Sequence, residues 1–91
     1  MNITVNANLD ATSSMWPDGS VNINQNALSS ATVTTLAGSI RATNGNVNIN
    51  NNAGTGSNLN IDASLRADSG DVNVLSNGSL RLGVVNAPNS D

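Results

Sequence analysis

Short apolar-x-apolar triplets recur along the whole chain. They are Ile3-Thr4-Val5, Leu9-Asp10-Ala11, Val21-Asn22-Ile23, Ile40-Arg41-Ala42, Val47-Asn48-Ile49, Leu59-Asn60-Ile61, Leu65-Arg66-Ala67, Val72-Asn73-Val74 and Leu80-Arg81-Leu82. Alternation with period two sends the outer pair of each triplet to one face and the middle residue to the other, as in a half-buried strand. Helical spacing at i, i+3 and i+4 is sustained nowhere, and Gly and Asn interrupt every window. The pattern predicts a chain that is nearly all β.

Turn signals punctuate the triplets. Asp18-Gly19, Asn44-Gly45 and Asn77-Gly78 are strong turn dipeptides. The run from Asn50 to Ser57 reads as a longer loop or a weakly formed third side. Pro17 has no N–H for a ladder, which predicts a bulging loop at Met15-Trp16-Pro17.

The triplets also recur at a longer interval. Val21, Ile40 and Leu59 follow one another at steps of 19, and so do their partners Ile23, Ala42 and Ile61. A second column steps through Leu9, Leu28, Val47 and Leu65. A period near 20 residues marks a solenoid, in which each turn buries its apolar side by stacking on the next. The expectation is one segment over residues 1–91. It is an all-β, right-handed parallel β-helix (β-solenoid) of about 19 residues per coil and four to five coils, with about three short strands in each coil.

Composition narrows the chemistry. Of 91 residues, 37% are hydrophobic and 10% charged, and Trp16 is the only aromatic. Cys, His, Lys and Glu are absent, which removes disulfides, thiolate metal sites, Schiff-base chemistry and the usual general bases. The net charge of −3 carries no basic footprint for nucleic acid. Asn and Ser together make up a third of the chain, interleaved with Val, Ile and Leu, which differs from the Pro-, Glu- and Lys-rich composition of disorder. No apolar run reaches membrane-spanning length, and no secretory signal opens the chain. No cofactor, metal, nucleic acid or membrane insertion is expected.

The motifs Gly19-Ser20-Val21-Asn22-Ile23, Gly45-Asn46-Val47-Asn48-Ile49 and Gly70-Asp71-Val72-Asn73-Val74 resemble the β-helical repeats of filamentous-haemagglutinin-type exoproteins, the adhesins exported by two-partner secretion. The resemblance covers nearly the whole chain. The Asn-Pro-Asn motifs of that family's secretion domain are absent, so it implies a piece of the shaft. It also implies an extracellular or cell-surface location.

Candidate contact residues follow from the columns. Asn22, Arg41 and Asn60 are middle residues of triplets and are expected on one flat outer side, as a platform for a glycan or cell-surface receptor. The alternative is a solvated face whose amides hydrogen-bond along the ladder. Trp16 is either a sugar-stacking platform or a cover over one end of the core. Arg41, Arg66 and Arg81 either grip an anionic sugar or neutralise Asp10, Asp62, Asp68 and Asp71. Asp68 and Asp71 flank a turn that calcium could occupy, but the Gly-rich nonapeptide of calcium-binding β-rolls is missing. Thr32, Thr34 and Thr35 lie in one coil only, short of the array an ice-binding surface needs. Sequons stand at Asn2 and Asn77.

No catalytic constellation emerges, and the expectation is a non-catalytic adhesin shaft segment. The open ends of such a rod give the alternative, a subunit stacking end to end into an extracellular filament. At the chain end, Pro88 is expected to stop strand pairing.

Overall fold

The computed structural model describes residues 1–11, 15–28, 31–83 and 85–86. All regular structure among them is strand: β1 (Asn2–Val5), β2 (Leu9–Ala11), β3 (Val21–Gln25), β4 (Val33–Leu36), β5 (Ser39–Ala42), β6 (Val47–Asn51), β7 (Asn58–Ile61), β8 (Ser64–Ala67), β9 (Val72–Ser76), β10 (Ser79–Leu82) and β11 (Val85–Asn86). They form three sheets, ordered β1-β3-β6-β9, β2-β4-β7-β10 and β5-β8-β11. Every strand pair is parallel.

The chain visits the sheets in rotation. Strands β3, β4 and β5 enter the first, second and third sheets, then β6, β7 and β8 do so, then β9, β10 and β11. In the earliest passage Met15 bridges to Ile40 and takes the third-sheet position. Register puts like on like. Val21, Val47 and Val72 align, as do Ile3, Ile23, Ile49 and Val74. These β-branched side chains fit a pleated, packed surface.

The 19-residue interval is corrected by this register. Val21 pairs with Val47, and the hydrogen-bonded partners of the first sheet stand 20, 26 and 25 residues apart. A step of 19 advances two strands, so it lands in a different sheet each time. Val21 is in the first sheet, Ile40 in the third and Leu59 in the second. The strand skipped between Val21 and Ile40 is β4, where Thr34 aligns with Leu9 and Leu59. A hydroxyl at that position hides the strand from an apolar-x-apolar template. The second column dissolves in the same way. Leu9, Val47 and Leu65 fall in three sheets, and Leu28 lies outside the strands, fully exposed.

The core is one cluster fed by all three sheets: Val21, Ile23, Val47 and Ile49 from the first, Leu36, Leu59 and Ile61 from the second, and Ile40, Ala42, Leu65 and Ala67 from the third. Each of the larger side chains contributes roughly 1.5–3 kcal/mol by leaving water. The alternation is strict in β3 and β6, whose first, third and fifth residues are buried. That pattern carries β6 through Asn50 to Asn51, which therefore belong to a strand and not to the expected loop.

One further expectation changes. Pro17 continues the edge that Met15 begins, its carbonyl accepting from the backbone N–H and the hydroxyl of Thr43, so this stretch is tied to the third sheet. The glycine of the G-x-V motif is required by proximity. A Cβ on Gly70 would stand 2.7 Å from the Gly45 carbonyl oxygen and would also meet Asn46 Oδ1. Gly19 and Gly45 also adopt φ 113° and 153°, a region L-residues avoid. Pro88 lies outside the described residues.

Candidate functional site: an amide ladder and an arginine column

The middle residues of the first-sheet strands form an amide ladder. Asn2, Asn22, Asn48 and Asn73 share one register position. Asn22 Nδ2 donates to Asn2 Oδ1 at 2.8 Å, Asn48 Nδ2 to Asn22 Oδ1 at 2.8 Å, and Asn73 Nδ2 to Asn48 Oδ1 at 2.9 Å. Two shorter pairs run beside it, Asn50 to Asn24 and Asn52 to Asn26, both at 3.1 Å. The burial pattern of β3 and β6 leaves these middle positions half-buried on the opposite face from the core. Each ladder amide has two N–H groups and two lone pairs. Bonding along the ladder takes one donor and one acceptor, and leaves one of each for another partner. Parallel strand spacing repeats this pair about every 4.8 Å.

The third sheet carries a different column. Arg41 and Arg66 are register neighbours, so two like charges stand on adjacent strands. Asp68 holds them together. Arg41 Nη2 is 2.8 Å from Asp68 Oδ2, with Arg41 Nε donating to both carboxylate oxygens, and Arg66 Nε is 2.6 Å from Oδ1. Hydrogen bonds from Arg41, and then from Arg66, hold the Asp68 carboxyl below the usual carboxylate range, outweighing a desolvation that acts the other way. The bond to Asp68 likewise raises Arg41. The free face of Arg41 lies 5.5 Å from the centroid of the Trp16 ring, a cation–π distance. Trp16 Nε1 reaches Ser39 Oγ at 3.4 Å.

The expected platform of Asn22, Arg41 and Asn60 is therefore divided. Asn22 lies in the first sheet, Arg41 in the third and Asn60 in the second, between Thr35 and Arg81 in register. The cause is again the 19-residue step, which crosses sheets. Asn22 gains Asn2 and Asn48 as companions, and Arg41 gains Trp16. Trp16 is 61% exposed and sits beside the arginine column instead of covering a core end. Asp68, considered for calcium, has its carboxylate engaged by two guanidinium groups. Arg81 approaches Asp62 at 3.7 Å. Thr32 and Thr34 are buried.

Three groups were not singled out by pattern reading. Gln25 and Asn51 occupy buried positions that align with Val5 and Ser76. Gln25 donates to the Ala7 carbonyl and to Thr34 Oγ1 at 3.1 Å, and its Oε1 accepts from the Ala27 N–H. Asn51 donates to Ser57 Oγ and Ser76 Oγ, while its buried Oδ1 meets no hydrogen-bond donor among the described residues. The third group is an open cleft of about 790 Å³ beside this corner, lined by Asn6, Asn8, Asn26, Leu28, Thr32 and neighbouring alanines. None of its described lining side chains titrates. The spacing of the G-x-V motifs, 26 and 25, was the signal that would have found the ladder.

No helix among the described residues is long and apolar enough to cross a membrane. Comparison of the chain with protein-family models, with curated proteins and with solved structures found no match in any of the three.

Proposed function

We propose that this chain is a non-catalytic structural segment of an extracellular, rod-like adhesin shaft. On this reading it is a right-handed parallel β-solenoid, with the handedness general to parallel crossovers. Each passage through the three sheets is one coil of about 25 residues. The rotation of strands through three sheets, with Val on Val and Asn on Asn, is the observation that carries the reading. The rod displays the Asn22–Asn48 face for attachment to a cell surface. Its evenly spaced donors and acceptors match a polyhydroxyl ligand such as a glycan, and Trp16 beside Arg41 offers a second, aromatic contact. A glycan array tests this. Binding by the wild-type chain that falls with Asn48→Ala/Asn50→Ala supports the attachment face. An array blank for the wild type removes it, and polysaccharide depolymerisation by the chain ends the non-catalytic reading.

A second reading rests on the sheet edges. Strands β1 and β2 end two sheets on one side, and β9, β10 and β11 end all three on the other. Leu80 and Leu82, aligned with the buried Leu59 and Ile61, are 44% and 47% exposed. Unpaired edges and uncovered core positions are what end-to-end self-association needs. The chain is then the subunit of an extracellular filament.

A further inference from the structure

The two ends of the second sheet carry opposite charges in the same column. Register along its outer positions runs Asp10, Thr35, Asn60, Arg81. Asp10 is exposed and has no ion-pair partner among the described residues. Arg81 is the most exposed of the three arginine side chains, at 74%, and its contact with Asp62 is long. The first sheet shows a matching polarity. Its amide ladder donates in one direction throughout, so Asn2 Nδ2 at one end and Asn73 Oδ1 at the other are left outside the ladder. One end of the molecule thus offers an acid and an amide donor. The other offers a guanidinium and an amide acceptor.

We infer that a second copy of this chain docks head to tail, β9 and β10 of one molecule pairing in parallel with β1 and β2 of the next. This deepens the filament reading and rests on it. The register follows from continuing each column by one step. Asn73 meets Asn2, Val74 meets Ile3, Leu80 meets Leu9, and Arg81 meets Asp10, one strand spacing away. Apolar positions that are partly uncovered in the single chain fall opposite apolar positions on both sheets. The two symmetric alternatives are opposed by charge. With the two-fold axis through the second sheet, joining the β1–β2 ends sets Asp10 near Asp10, and joining the β9–β10 ends sets Arg81 near Arg81. A head-to-tail contact does not close on itself, so it propagates into a filament.

The experiment uses the whole chain, with sedimentation followed as concentration rises. Asp10→Arg alone opposes two arginines at every joint, and Arg81→Asp alone opposes two aspartates. Each is expected to weaken association at least about tenfold, because like charges facing across an interface oppose it. Mixed in equal amounts, the two variants restore attraction at every joint, and assembly returns. Recovery in the mixture cannot come from misfolded chains. The neutral pair Asp10→Asn and Arg81→Gln should fall between wild type and the swaps. Wild-type assembly that ignores the swaps, or a mixture that does not recover, overturns this register but leaves end-to-end association standing. A wild-type chain that stays monomeric at every concentration overturns the filament reading itself and returns the edges to other occupants, a continuation of the same polypeptide among them.

Discussion

The passage β6-β7-β8 and the passage β9-β10-β11 carry much the same alternation of apolar and polar positions and meet different surroundings. Val47 and Ile49 are fully buried, while Val72 and Val74, in the same register, are only half-buried. Leu59 is at 0% exposure and Leu80, its neighbour in the second sheet, at 44%. In a stack, a residue's burial is set by whether a passage lies on both sides of it. The amphipathic pattern of a strand makes it fit to be buried, and its place along the axis decides whether it is. The same holds for polar groups: Asn48 donates and accepts within the ladder, whereas Asn73 only donates.

The largest effect that separates the two passages is in the core. Leu59→Ala should cost about 2–5 kcal/mol, the range for a leucine truncated in a packed interior. Leu80→Ala should cost about 1 kcal/mol or less, since half of its surface already faces water. Urea unfolding of both variants measures the gap, and equal losses would break the comparison. Gly70 sharpens it, because it belongs to the outer passage yet abuts the inner one. Gly70→Ala pushes a methyl against the Gly45 carbonyl and should cost about 1–3 kcal/mol, as overpacking does. A substitution without effect there would mean that the two passages are not in close contact.

A smaller difference separates the ladder amides. Asn48→Ala removes two hydrogen bonds and should cost about 1–2 kcal/mol, against roughly half of that for Asn73→Ala, which removes one. The smallest effect is the response to pH. The Asp68 carboxyl sits below its ordinary range, so the unfolded chain binds the proton more readily. Its contribution is complete above the unfolded carboxyl pKa, near 4, and is lost as pH falls through the lower folded value. The urea midpoint of Asp68→Asn should therefore lie below wild type at neutral pH and converge with it in acid. A gap that persists undiminished at low pH would assign the effect to packing and not to charge.

Most strands were legible from period-two alternation, and the reasons for the misses are specific. The β4 strand was hidden because Thr34 stands at a position that β7 fills with Leu59. The hydroxyl is tolerated there because Gln25 hydrogen-bonds it. The end of β6 was hidden because Asn51 occupies a buried place with Ser57 and Ser76 as partners. Thr34 is hydrogen-bonded inside, and Asn51 donates inside through its amide N–H groups; a hydropathy template reads both as surface. The pairing interval was misread because three similar strands per passage give several near-equal spacings. The full motifs Gly19-Ser20-Val21-Asn22-Ile23, Gly45-Asn46-Val47-Asn48-Ile49 and Gly70-Asp71-Val72-Asn73-Val74 all lead into the first sheet, and their intervals of 26 and 25 are its true steps. The candidate contacts inherited that error. Asn22 hydrogen-bonds along a ladder, one of the two readings its column allowed, but its companions Asn2, Asn48 and Asn73 lie at the true interval.

Among the described residues, no strand hydrogen-bonds to the one before or after it in the chain. The folding route therefore has no hairpin to zip. Its first ladder must close a loop of 20 residues or more, at an entropic cost of about 2.7 kcal/mol beyond the constant term before any contact compensates. Later passages meet a preformed edge on which to settle. Such a chain should fold slowly to its first paired passage and quickly thereafter, as a crystal grows once seeded. A lag in refolding that is abolished by preformed edges would be the kinetic signature of this parallel connectivity.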